Sequence, residues 1–293
     1  MKKDKLKPYV HKVKGAINYA LYDLFNGHFY KMRPEGDVRR LRERLKQAGL
    51  IFETEGVVPF KIELDLSEET VNIRIRELQI RLNGKKEDTC WQRSTLSNAL
   101  LRMNTDILDV LQEELKFIPI EKIRIEAAEP DYTGIEKIIG NYNCSSVELR
   151  VKQELNSVQT GTFRKLCRDR NIDFIRQENP GEPIDKLVVE PHRFFYSQKF
   201  NPCLGQKMAI DTDGEIKTCL WSEEVLGNIR TDNLKDMIIG GRFDSAWEMT
   251  KDKIEVCNEC ERRYACNDCR VSSVRRQHAF DQKPSFCNYN PYV

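Results

Sequence analysis

Between Cys257 and Arg270 the chain reads CNECERRYACNDCR, four thiols in one short loop. Thiols at that density either close disulfides or hold a metal, and the redox compartment decides between them. Seven of the ten cysteines (Cys203, Cys219, Cys257, Cys260, Cys266, Cys269 and Cys287) fall in the last third of the chain. They run C-x15-C, then C-x2-C-x5-C-x2-C, then a final cysteine. Core packing requires no such spacing, whereas metal binding does. A zinc ribbon separates its knuckles by about fifteen residues or more, and here only ERRYA stands between Cys260 and Cys266. Compact C-x2-C runs closed by a distant ligand are the habit of 4Fe–4S clusters. Zinc is the competing reading. The isolated Cys90, Cys144 and Cys167 read as small buried apolar residues.

The other chemistries weigh less. His11, His28, His192 and His278 are scattered, with none in a metal or nucleophile constellation, and there is neither a phosphate-binding glycine loop nor a G-x-S-x-G elbow. No catalytic residue is therefore assigned. Lys and Arg number 48 against 46 Asp and Glu, so no net field points to nucleic acid or an anionic membrane. No long apolar run suggests a membrane span, and the basic start MKKDKLKPYVHKVKG has no apolar stretch behind it. The expected compartment is the cytoplasm, where thiols stay reduced.

The elements that must position these thiols are readable. KMAIDTDGEIKTCLW is two short strands joined at Asp213-Gly214, a hairpin that carries Cys219 back beside Cys203. LGNIRTDNLKDMI and FDSAWEMTKDKIEVC follow as a strand and helical segments. Upstream, TVNIRIRELQIRL, IEKIRIEAAEPD, SSVELRVKQEL, DFIRQ and KLVVEP read as strands. TLSNALLRMNTDILDVLQEEL, DYTGIEKIIGNY and TGTFRKLCRDRNI read as the helices between them. Such alternation predicts an α/β fold with a parallel sheet or partial barrel. At the start, GAINYALYDLFNGHFYKM is a hairpin turning at Asn26-Gly27. DVRRLRERLKQAGLIFETEG is a helix with Asp37 as N-cap and Gly49 as its stop, followed by a returning strand. Its basic face, Arg39, Arg40, Arg42, Arg44 and Lys46, reads as solvated.

The cysteine pattern, with CLGQKMAIDTDGEIKTC as C-x10-G-x4-C around Gly214, resembles the SPASM domain, the auxiliary-cluster module of radical SAM peptide-modifying enzymes. That resemblance implies one 4Fe–4S cluster on Cys257, Cys260, Cys266 and Cys287, and a second on Cys203, Cys219 and Cys269 with its fourth ligand unknown. Two departures stand out. Two residues, not three, separate Cys266 from Cys269, and Ser197 occupies a position where some members place an extra ligand. Radical SAM enzymes also need a C-x3-C-x2-C loop, and none is present. Cys90, Ser94 and Ser97 have its spacing, but serine holds two of the three positions. Ala127-Ala128-Glu129-Pro130 stands where those enzymes carry Gly-Gly-Glu-Pro, and each alanine adds a Cβ where close approach was needed. The middle region thus resembles a radical SAM-type partial (β/α) barrel without a functional SAM site.

The N-terminal unit resembles the winged-helix-like α+β elements that bind leader peptides by strand addition; a plain helix–sheet cap is the alternative. Together these imply three domains: residues 1–59 for peptide recognition, 60–192 as the degenerate barrel, and 193–293 as the SPASM domain. The whole is similar to the SPASM-domain maturases that pair with an ATP-grasp ligase. That similarity implies a role in maturing a ribosomally made precursor peptide, as a non-catalytic scaffold, or as a redox or Lewis-acid enzyme working through an open second cluster. A zinc-bound interaction protein is the third possibility.

Overall fold

The computed structural model describes residues 3–34, 38–54, 75–81, 110, 113–114, 120–127, 135–136, 138, 144–151, 157–170, 173–176, 187–267, 269–271, 279–284 and 287–293. Two compact units divide the chain. One comprises residues 1–68, 183–203 and 248–293; the other comprises residues 69–182 and 204–247.

In the first unit, β1 (Lys3–Leu6) pairs antiparallel with β5 (Ile51–Thr54). β2 (Val10–Lys14), β3 (Tyr19–Asp23) and β4 (His28–Met32) form a three-stranded antiparallel sheet in that order. Asn26-Gly27 lies in the β3–β4 turn as expected, with Gly27 at φ +70°. The two-residue alternation of β3 buries both faces of this sheet. Leu21 joins Val10, Met32 and Leu50 in a core against which Leu41 and Leu45 of α1 (Val38–Gln47) pack. Ala20 and Tyr22 join Val13, Phe194 and Ala265 in a second core on the other side. Helix α1 stops at Gly49, φ +67°, and Arg39, Arg40, Arg42, Arg44 and Lys46 are exposed. The expected cap, Asp37, lies outside the described residues.

The second unit is built on a seven-stranded sheet, ordered β12-β11-β10-β6-β7-β8-β9. β6 (Ile75–Arg81), β7 (Ile120–Ala127), β8 (Cys144–Val151) and β9 (Asp173–Arg176) are parallel neighbours. β10 (Lys207–Ile210) adds parallel to β6, and β11 (Glu215–Lys217) and β12 (Gly227–Asn228) continue antiparallel. The expected hairpin at Asp213-Gly214 is thus present and extends the parallel sheet. Gly214 has φ +78° there, which favours glycine. Ile123, Ile125 and Val147 pack beneath Phe163 and Cys167 of α2 (Ser157–Asp169), the latter two one helical turn apart. Toward the other face, the buried Glu148 is held by Lys122 and by Arg124, whose Nε lies 3.2 Å from Glu148 Oε1.

One expected strand is absent. Leu187–Glu190, within KLVVEP, forms none; Val188 N donates to Ala265 O, and Pro191 then opens α3 (Pro191–Lys199). Leu187 and Val189 pack on the core around Phe194, so their apolar character reflects burial of a connecting segment beside a helix start.

Cys144 and Cys167 are buried, as expected of packing cysteines, and burial pushes each thiol up to about 11. At pH 8 only about one in a thousand of such thiols is thiolate. Native protein treated with iodoacetamide at that pH is expected to leave both unlabelled, and urea-unfolded protein to label both, as read by peptide mass mapping. Labelling of both in the native state would overturn this.

Candidate metal centre

The cysteine-rich loop belongs to the first unit and begins with two short 3-10 turns, Lys251–Lys253 and Cys257–Glu259. Between them Val256 sits at φ +66°, a costly conformation for a β-branched residue. The chain reverses there, and Cys260 N closes on Cys257 O at 3.0 Å, making the C-x2-C turn. Cys260 O then accepts from Arg263 N and Arg263 Nη1, and Cys266 N donates to Arg262 O. Arg193 of α3 reaches Cys266 O and Pro202 O and bonds Asn267 Oδ1, tying the strand of chain before Cys203 to the loop. Cys203 N is held by Asn201 Oδ1 at 2.9 Å, and Asn201 Nδ2 donates to Met249 O.

The N-terminal sheet is fastened to this loop. Ala16 N donates to Glu259 O, Arg263 Nη1 to Lys14 O, and the buried Tyr22 hydroxyl to Glu261 O at 2.8 Å. Glu261 is fully buried; its Oε1 lies 3.7 Å from Lys31 Nζ and accepts from Tyr289. Gly15 is required beside it, since a Cβ there would stand 2.9 Å from both Glu261 N and Glu261 Oε2.

The loop's electrostatics are unusual. Cys257 and Cys260 are half-buried thiols pushed upward, Cys260 to about 12, first by desolvation and further by neighbouring cysteines, among them Cys266 for both and Cys287 for Cys257. In their midst lie two buried cations. Lys251 is 1% exposed, and burial disfavours its ammonium, while Cys266, Cys257 and Cys287 favour it. Arg270 is 0% exposed, and its strongest favourable charge interactions are with Cys257, Cys269, Cys266 and Cys203. Its Nη1 is anchored on Phe280 O (3.0 Å) and Gln282 O (2.7 Å).

Burying two cations costs several kcal/mol unless anions face them. Neutral thiols provide none, whereas thiolates bound to a metal do. The donor set, soft sulfur with built-in counter-charge, therefore fits an iron–sulfur or four-thiolate centre. Among the described residues the side chains as they stand do not close into a ready-made group of three metal donors. What Cys257, Cys260, Cys266 and Cys287 share is a common electrostatic neighbourhood. Cys203 and Cys269 lie in the same unit as these four, and Cys219, buried after β11, lies in the second unit.

Ser197, on α3, is fully buried, with its hydroxyl lacking a hydrogen-bond partner among the described residues. Cys90, Ser94, Ser97, Ala128, Glu129 and Pro130 lie outside the described residues, and Ala127 ends β7. The aromatic run before Cys203 forms α3, whose Phe194 packs on His11, Tyr22 and Tyr264. Sequence reasoning missed Lys251, Arg270 and Glu261. Each sits in a charged stretch that reads as solvated surface, and only its burial marks it.

Residues 203–261 match the SPASM family, described as an iron–sulfur cluster-binding domain. No curated protein matches the chain. Among solved structures the chain is similar to Streptococcus suis SuiB bound to S-adenosylmethionine, at 10% identity and a TM-score of 0.37, covering 98% of this chain and 100% of that one. It is also similar to BtrN in an open conformation, at 12% identity and a TM-score of 0.38, covering 64% of this chain and 92% of that one. No helix among the described residues is long and apolar enough to cross a membrane.

Proposed function

We propose that this chain is an iron–sulfur protein of peptide maturation, acting as a scaffold for a ribosomally made precursor peptide rather than as a SAM-cleaving enzyme. The observation that carries the cluster is the match of residues 203–261 to an iron–sulfur cluster-binding domain, supported by buried cations set among thiols. Cys257, Cys260, Cys266 and Cys287 would hold one 4Fe–4S centre. Cys203, Cys219 and Cys269 are assigned to a second from the family pattern. Such a centre, when bound, supplies one-electron redox capacity or an iron site for a substrate group.

The finer reading keeps three parts: residues 1–59 for leader recognition in a winged-helix-like unit, 60–192 as a radical SAM-type partial barrel, and 193–293 as the SPASM domain. The sheet β2-β3-β4 supports the first, because β2 and β4 are its edges and an extended peptide can add to such an edge. An ATP-grasp ligase is the expected partner enzyme and the cytoplasm the expected compartment. The missing C-x3-C-x2-C loop and the Ala127-Ala128 pair support a scaffold over a radical enzyme.

Protein purified anaerobically is expected to contain iron and acid-labile sulfide, and reduced protein supplied with S-adenosylmethionine to release no 5′-deoxyadenosine. Zinc without sulfide would replace the first claim, and 5′-deoxyadenosine formation the second.

A further inference from the structure

The cysteine-rich region keeps two cations, Lys251 and Arg270, buried away from solvent. Lys251 and Arg270 come from opposite sides of the loop, one from the turn before Cys257 and the other directly after Cys269. Both are fully buried. A methionine matches the length of the lysine stem, so the volume at position 251 can be filled without a charge. An arginine stays protonated at any pH a protein survives, so Arg270 brings a permanent charge into the loop. Its anchoring on two backbone carbonyls fixes where that charge sits. The two cations also repel each other, a cost that nearby negative charge offsets. An oxidised 4Fe–4S core bound by four thiolates carries two net negative charges, and one-electron reduction adds a third. Cluster potential depends on such net charge and its surroundings.

We infer that Lys251 and Arg270 are the counter-charges of the sulfur centre, balancing its negative charge, favouring its retention and raising its reduction potential. The inference rests on the iron–sulfur reading above. The thiols that act on Lys251 are Cys266, Cys257 and Cys287, and those that act on Arg270 are Cys257, Cys269, Cys266 and Cys203. Lys251 therefore acts chiefly on the first centre, while Arg270 acts on cysteines assigned to each. These are positioning charges and touch no substrate.

The test compares wild type, Lys251→Met and Lys251→Arg, each reconstituted anaerobically. Iron and acid-labile sulfide are measured first, and the midpoint potential is then read by a dithionite titration with mediators. Each centre takes one electron from dithionite. With equal loading, Lys251→Met is expected to have a more negative midpoint than wild type, and Lys251→Arg to return toward wild type. Iron lost from Lys251→Met with an unchanged circular dichroism spectrum supports the retention role. If Lys251→Met does not fold, Arg270→Gln against Arg270→Lys provides the same comparison. A fully loaded charge-removing variant with the wild-type midpoint overturns the inference and leaves the iron–sulfur reading standing. Wild type that holds zinc without sulfide overturns that reading itself.

Discussion

Replacing Cys260 with alanine is expected to empty the sulfur centre and to destabilise the first unit along with it. Cys260 closes the C-x2-C turn on Cys257 O, and its own carbonyl organises Arg263. Its thiol is half-buried and pushed up to about 12, so without a metal it stays neutral and adds no negative charge to the loop that buries Lys251 and Arg270. Removing one partner of a buried charge pair typically costs about 3–5 kcal/mol, and loss of the centre exposes two buried cations to that penalty. The stability of the metal-loaded wild type should exceed that of Cys260→Ala by an amount of this order. Iron and sulfide per chain and a thermal melt under anaerobic conditions measure both effects. Cys144→Ala, in the second unit, is the control and should keep wild-type iron content. Equal iron in Cys260→Ala and wild type would remove Cys260 from the ligand set.

Asp211→Ala should be the most damaging change in the second unit outside its apolar core. Asp211 Oδ2 lies 2.7 Å from Lys217 Nζ, and the two side chains are 2% and 1% exposed. Its other oxygen accepts from Asp213 N and Glu215 N, so one carboxylate both pairs the lysine and shapes the turn at Gly214. Glu215 Oε2, 2.9 Å from the same ammonium, offsets part of the loss. The expected destabilisation is about 3 kcal/mol, toward the lower end for a broken buried pair. Urea unfolding measures it. Asp211→Asn, which keeps the turn's acceptor but not the charge, should lose less. A loss under about 1 kcal/mol for the alanine variant, typical of surface pairs, would show that Lys217 relies on Glu215. The hairpin leads straight to Cys219, so the same variant should also alter that thiol's labelling rate.

Several elements were legible because a local rule governs them. Alternation marked β3, β4 and the parallel strands β6 to β9, since every second residue of a half-buried strand faces the core. Asn26-Gly27 and Asp213-Gly214 marked turns because those positions require φ that glycine adopts cheaply, and both glycines have it. KLVVEP misled for a physical reason: a connecting segment packed on a core is as apolar as a strand, and only Pro191, which starts α3, separates the cases. The lysine-rich opening concealed β1 and β2, because edge and surface strands carry charge on their exposed positions.

Sequence by itself determined the spacing of the thiols and the order in which the chain delivers them, since residue type and spacing are local properties. It also determined the turn at Gly214, the stop at Gly49 and the alternating runs of the sheet. Tertiary structure alone decided that the N-terminal sheet and the cysteine loop belong to one compact unit, fastened through Tyr22, Arg263 and Glu261. It alone decided that the hairpin before Cys219 extends a parallel sheet. And it alone distinguished Lys251 and Arg270 from the other basic residues of the chain. A lysine's identity says only that it bears a charge; whether that charge is solvated or buried among thiols depends on chain segments far apart in sequence, and burial is what makes it matter.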